Sequence, residues 1–301
     1  MSRHMERAES MARILGVTWN LMLFGSRDLQ RQNLLAPLTI TGTSEAFFAQ
    51  HEDLSVEKLI EFLALDRGNP SSIVCCLAAA RENAHAVRWR ITSEMWETLN
   101  ATWLEMRSLE RSRVTGAGAV QFFDWVKDRS HLFRGVTDGT IMRGEAFNFS
   151  RLGTFLERAD NTARLLDVKY HLLLPSVSDV GGALDYYQWA ALLRSVSSFE
   201  TYRTLYRDQI YPIRVAQLLI LERRMPRSLA ACLDQVKEAM DRIRGQSDQP
   251  AKRLTYELHA RLTHADIDEI FQGGLHEYLT DCLANIAQLG SRIQRAYLGS
   301  A

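Results

Sequence analysis

The chain has 301 residues, 46% of them hydrophobic, with 36 basic residues set against 36 acidic ones. That length and apolar share can bury a sizeable core. The even charge argues against a nucleic-acid binder, which carries a basic excess, and against electrostatic docking on an anionic membrane. With only six prolines and seventeen glycines, and with Leu, Ala, Glu and Arg frequent, the chain is expected to be all-α.

The opening "MSRHMERAES" lacks the apolar stretch of a signal peptide. The longest apolar run, "IVCCLAAA" at Ile73–Ala80, is too short to span a bilayer. Cys75, Cys76, Cys232 and Cys282 show no CxxC spacing, so they read as small buried hydrophobes in a reducing compartment. The expected location is the cytoplasm.

Periodicity predicts helices over 2–23, 55–66, 70–91, 93–112, 117–133, 149–174, 183–208, 211–223, 226–244, 250–263, 265–272 and 274–298, with no alternating strand pattern. The first is a charged helix. Met5, Ala8, Ala12 and Leu15 share one face; Arg3, Glu6, Arg7, Glu9, Ser10 and Arg13 occupy most of the other. The same helix is written again 151 positions later. Met5–Leu15 aligns with Leu156–Leu166, and Glu6, Arg7, Ala8, Ala12, Arg13 and Leu15 match Glu157, Arg158, Ala159, Ala163, Arg164 and Leu166. Glu9–Arg13 and Asp160–Arg164 both have the favourable acid-before-base order at i,i+4.

A second match pairs Leu63–Leu77 with Leu219–Leu233 at an offset of 156, bringing together Pro70 and Pro226, Ser72 and Ser228, Cys76 and Cys232. Each proline is expected in the first turn of a helix. The offset continues faintly to Gly118 and Gly274. The expected architecture is one domain over 1–301, a multi-helix bundle of two pseudo-symmetric repeats, about 1–148 and 149–301.

Between the matches, Trp89, Trp96 and Trp103 fall seven apart, with Leu99 and Met106 three residues after the second and third, the stripe of a helix–helix seam. Glu82-x-x-His85 on the preceding helix, with Glu6, Glu157 and Glu238, caricatures a carboxylate-bridged di-metal bundle. Asp241 stands where a second histidine is needed, and Arg81, Arg88 and Arg244 would repel a metal. Neither a metal nor a cofactor is expected. "FRGVTDGTIMRGEAFNFS", Phe133–Ser150, reads as a long polar connector. Gly135, Gly139 and Gly144 would allow tight backbone, and its amides could face an anion where it meets Glu157, Arg158 and Arg164. The chain has no GxSxG, HExxH or Walker ending, and no cysteine with an evident histidine partner. The catalytic residues are therefore unknown.

Two readings of the repeated charges stay open: a solvated face, and a partly buried Glu/Arg network. Arg stayed Arg twice, although Lys serves a solvated pair equally well and a bidentate one poorly. The candidate ligand- or partner-binding residues are Glu6, Arg7, Arg13, Glu157, Arg158, Arg164, Asp138 and Arg143.

"MERAESMAR", "LERADNTARLLDV", "NPSSI", "ARENA", "EMWETLN", "TDGTIMR", "ALDYYQWAALLRSVSSFETYR" and "MPRSLAACL" together resemble the bacterial Alpha-E family of all-helical proteins with a Glu-Arg motif. The resemblance covers most of the chain. It implies further residues ahead of the first motif, so that the first helix here is cut short. It also implies an accessory role beside an ATP-grasp-type, peptide-ligase-like protein and transglutaminase-like peptidases. The alternatives are an enzyme or binding protein whose Glu/Arg network holds an anionic group and, ranked last, a metal-dependent helical oxidase.

Overall fold

The computed structural model describes residues 1–22, 27–172, 183–207, 209–244 and 249–298; the expected helix ends at 23, 174 and 208 lie outside them. Among the described residues there are fifteen α-helices and no strand, and no helix is long and apolar enough to cross a membrane. The chain divides into two compact units, Met1–Phe147 and Asn148–Ala301.

The first unit holds α1 (Ser2–Leu21), α2 (Arg27–Thr41), α3 (Ser44–Gln50), α4 (Val56–Ile60), α5 (Ile73–Ala86), α6 (Ser93–Ser108) and α7 (Ala119–Thr140). α4 runs on into a π-helical turn, Glu61–Leu65. α1 packs on α5 and α7, and α6 packs on both of those, which closes a four-helix ring. The close approach has a cause in the sequence. Ala8 and Ala12 are fully buried between Met5 and Leu15, and a Cβ on Gly16 would lie 3.6 Å from the Phe123 ring. α7 answers with buried Phe122, Phe123, Val126, Ser130, Phe133 and Thr137 at helical spacing.

α8 (Glu145–Leu172) supplies the second unit from Asn148 onward, followed by α9 (Ala183–Ser195), α10 (Phe199–Tyr206), α11 (Pro212–Ile220), α12 (Leu229–Arg242), α13 (Gln249–His264), α14 (Ile267–Gly273) and α15 (Leu275–Leu298). α12 packs on α13 and α13 on α15. Side-chain bonds join α8 to α12, Arg151 Nη2 to Glu238 Oε2 at 3.1 Å, and to α15, His276 Nδ1 to Asp167 Oδ1 at 2.7 Å. Leu156, Ala159, Ala163 and Leu166 are buried on α8. α5 and α12, α6 and α13, and α7 and α15 begin 156 residues apart: Ile73 and Leu229, Ser93 and Gln249, Ala119 and Leu275.

Several expectations are corrected. The connector Phe133–Ser150 is mostly helix: α7 continues to Thr140, α8 starts at Glu145, and Gly135 and Gly139 sit within α7. Packing of Phe133 and Thr137 outweighs about 1 kcal/mol per helical glycine. α2 and α3 have no counterpart in the sequence reading; Pro37 inside α2 argues locally against a helix. The predicted helix over 183–208 breaks after Ser195, where Ser197 takes φ 55°. Pro70 and Pro226 lie in the turns before their helices, and the caps are serines. Ser72 Oγ accepts from the Cys75 amide, and Ser228 Oγ from Ala231. Serine satisfies an orphan amide that proline merely lacks. Trp89 leaves the seam altogether: it sits in a 3-10 turn and is 74% exposed. The buried stripe of α6 is Met95, Leu99, Thr102 and Met106, with Trp96 and Trp103 only partly buried beside it.

Candidate functional site: the Glu–Arg helices

In the first unit the acidic part of α1's charged face is buried, while Arg3 stays exposed. Glu6 and Glu9 are 1% and 0% exposed, and Ser10 is buried as well. A carboxylate leaves water only when donors replace it, and here they come from α1 and α7. Arg13 donates Nε to Glu9 Oε1 at 2.9 Å, one turn along the same helix. Ser130 donates to Glu9 Oε2 at 2.8 Å. The Arg134 guanidinium reaches that same oxygen, bridges to Glu6 Oε2 at 3.1 Å, and meets the Ser130 hydroxyl at 3.1 Å. Glu6, Glu9, Arg13 and Arg134 thus set two negative charges against two positive ones inside a helical ring. Arg7 lies partly buried on α1.

His131 borders this cluster. Arg13 Nη2 lies 3.2 Å from His131 Nε2; because the guanidinium only donates, the imidazole accepts and is neutral in this contact. Burial, with help from Arg134 and Arg13, pushes its pKa below the usual histidine value, although Glu9 pulls the other way.

The second unit repeats the acid–arginine pair one turn apart, Asp160 with Arg164 in place of Glu9 with Arg13. Glu157 is 1% exposed and Arg158 8%. Arg158 Nη1 lies 3.5 Å from the Pro226 carbonyl, and its guanidinium stands 5.1 Å from the Phe155 ring centre. Thr162 donates to the Arg227 carbonyl at 2.9 Å. α8 therefore clasps the turn leading into α12. Arg164 forms a fork with Asp160, Nε to Oδ2 at 2.7 Å and Nη2 to Oδ1 at 3.2 Å, on a side chain 41% exposed. Further along α8, Lys169 is buried at 2%. It donates to Gln188 Oε1 at 2.7 Å and Asp185 Oδ1 at 3.2 Å and lies 4.8 Å from the Trp189 ring centre. Burial lowers its pKa to about 8, against the opposing pull of Asp185.

Of the sequence candidates, Glu6 and Arg13 belong to one network, and Glu157 and Arg158 are buried in the other unit. Asp138 lies on α7 one turn beyond Arg134, and Arg143 follows the end of that helix. They pair with each other at 2.8 Å on the surface, and the Arg143 guanidinium caps Phe147 at 4.1 Å. The anion-binding loop expected ahead of Glu157 is corrected too: α8 begins at Glu145, so Glu157 lies twelve residues into the helix, more than three turns from its first amides. Glu82 is taken by Arg81 on the surface. Glu238 is held by Arg151 and Arg242, and the His85 ring leans on Trp96 at 5.6 Å. Among the described residues no three His, Cys, Asp or Glu side chains are placed to hold a metal. The sequence reading missed Ser130, His131 and Arg134, and also Lys169, Asp185 and Gln188. Glu9 had been signalled by its spacing from Arg13.

These features define an all-helical protein with buried Glu–Arg clusters. The chain belongs to the Alpha-E family, described as a predicted alpha-helical domain with a conserved ER motif, which it matches over residues 1–298. No curated protein sequence and no solved structure matches it.

Proposed function

We propose that this protein is an accessory partner of an ATP-grasp-type peptide ligase in the cytoplasm, acting in a peptide-forming or peptide-modifying system, and that its Glu–Arg motif is the clasp of its fold. One observation carries the second half: Glu9, beside the first Glu-Arg pair, has both carboxylate oxygens occupied by donors from its own bundle. A general base or an anion subsite needs a group with capacity left for substrate. An Arg-neutralised, buried carboxylate instead fixes one helix against another. The ATP-grasp partner is what the family resemblance implies.

We also infer that the two units descend from one duplicated bundle. Three helix starts 156 residues apart support this, as do serine caps at equivalent positions.

The test is purification of the tagged full chain from its native cell, followed by reconstitution with the recovered ATP-grasp-type protein. The expected result is a complex on gel filtration and a change in the ligase's peptide-forming rate. If the purified ATP-grasp-type protein neither binds nor changes its rate, the accessory reading fails.

A further inference from the structure

Two turns in this chain make the same hydrogen bonds 156 residues apart. Ser72 Oγ donates to the Asp66 carbonyl at 2.6 Å and Ser228 Oγ to that of Glu222 at 2.7 Å. The Gly68 amide donates to Asp66 Oδ1 at 2.8 Å and the Arg224 amide to Glu222 Oε1 at 2.9 Å. They differ in the side chain that follows. Arg224 turns its guanidinium back onto the acid, Nε to Oε1 and Nη2 to Oε2, both at 2.9 Å. Residue 68 is glycine and has nothing to turn. Among the described residues no donor reaches Asp66 Oδ2, which is buried, an unfavourable state for a carboxylate oxygen.

Asp66 lines a groove of about 350 Å³ in the first unit, walled by Phe62, Leu65 and Leu109. Its other charged walls are Glu61 and Arg111, which neutralise each other through Arg111 Nε to Glu61 Oε1 at 2.8 Å and a second contact. His51 also lines the groove and packs its ring on Phe47 at 4.7 Å, while Arg67, next to Asp66, is exposed to solvent. The unbalanced charge in the groove is thus that of Asp66. The donor that completes this turn elsewhere in the chain is a planar guanidinium, whose fork matches a carboxylate. We propose that the groove beside Asp66 binds a guanidinium group supplied from outside the chain, in the place that Arg224 fills from within at Glu222.

The probes are agmatine and the peptide acetyl-Gly-Arg-Gly-amide, titrated calorimetrically into the full chain, with acetyl-Gly-citrulline-Gly-amide as the uncharged control. Both guanidines are expected to bind at one site and the citrulline peptide at least about tenfold more weakly. Asp66→Asn keeps an acceptor for the Gly68 amide and is expected to weaken binding by about tenfold or more. Gly68→Arg is expected to abolish it by filling the site from within. Gly68 is outside the positive-φ set, and a Cβ there meets only the adjustable Asp66 carboxylate, at 3.3 Å. A peptide that binds at least tenfold tighter than agmatine assigns the site to an arginine of a protein partner; comparable affinities assign it to a small guanidine compound. Absence of binding by both guanidines, or binding unchanged in either folded variant, overturns the proposal.

Discussion

Ser130 donates its hydroxyl proton to the buried Oε2 of Glu9 at 2.8 Å, across 121 positions of sequence. The contact makes α7 a partner of the Glu–Arg helix, and the Arg134 guanidinium, one turn further on, completes it. A solvated charged face tolerates removal of one member; a buried cluster does not.

Glu9→Gln is therefore expected to be strongly destabilising. The change keeps shape but removes the charge that Arg13 and Arg134 compensate, and breaking a buried pair from one side costs about 3–5 kcal/mol. Urea unfolding followed by circular dichroism measures it. A loss below about 0.5 kcal/mol, the range of surface substitutions, would mean that the cluster is not holding α1 to α7.

The two serine caps give a matched pair. Ser72 and Ser228 are both fully buried. Each accepts a helix amide and donates to a carbonyl six residues back. Ser72→Ala and Ser228→Ala should each cost about 1–2 kcal/mol, the usual loss for an N-cap. Because the positions belong to different units, the double variant should cost about the sum. Unequal single losses, differing by more than about 1 kcal/mol, would argue that the two turns are not equivalent.

Arg158 and Arg164 repeat the first-copy arginines, yet their surroundings separate them. Arg158 is 8% exposed and faces the Pro226 carbonyl; Arg164 is 41% exposed on a local fork with Asp160. Arg158→Lys is expected to lower stability by about 1–3 kcal/mol, because an ammonium lacks the guanidinium fork and leaves acceptors such as the Pro226 carbonyl unmatched. Arg164→Lys should stay within about 0.5 kcal/mol. Thermal melts of the two variants decide, and equal shifts contradict the distinction.

The charged helices were legible because the chain writes them twice, and their alanine faces pack as the 3.6-residue period requires. The donors to those charges were not. Arg134 lies in a stretch whose Gly135 and Gly139 imitate a loop, and nothing local ties it to a glutamate more than a hundred positions earlier; only the α1–α7 packing does. Trp89 misled in the other direction. Its seven-residue spacing from Trp96 continues the stripe on paper, but α5 ends at Ala86 and α6 starts at Ser93, so no continuous helix carries it. Pro37 inside α2 shows tertiary packing overriding a local signal. A lone lysine such as Lys169 reads as surface from sequence; its burial depends on Asp185 and Gln188 on the next helix.

Lys169 offers the pH test. Its pKa is about 8 in the folded chain and near 10.4 when unfolded. Below pH 8 both states hold the proton, and the folded state carries the full penalty of a buried ammonium. Between about pH 8 and 10.4 the unfolded state binds more protons, so this group's contribution to stability rises with pH across that window. The ammonium lies 4.8 Å from the Trp189 ring centre, which makes Trp189 emission a reporter of its charge. The fluorescence of the parent minus that of Lys169→Met should titrate with a midpoint near 8. The same variant should flatten the rise in urea midpoint across pH 8–10.4. A difference spectrum that stays constant to pH 10 would place the ammonium in contact with water and contradict its burial against Trp189.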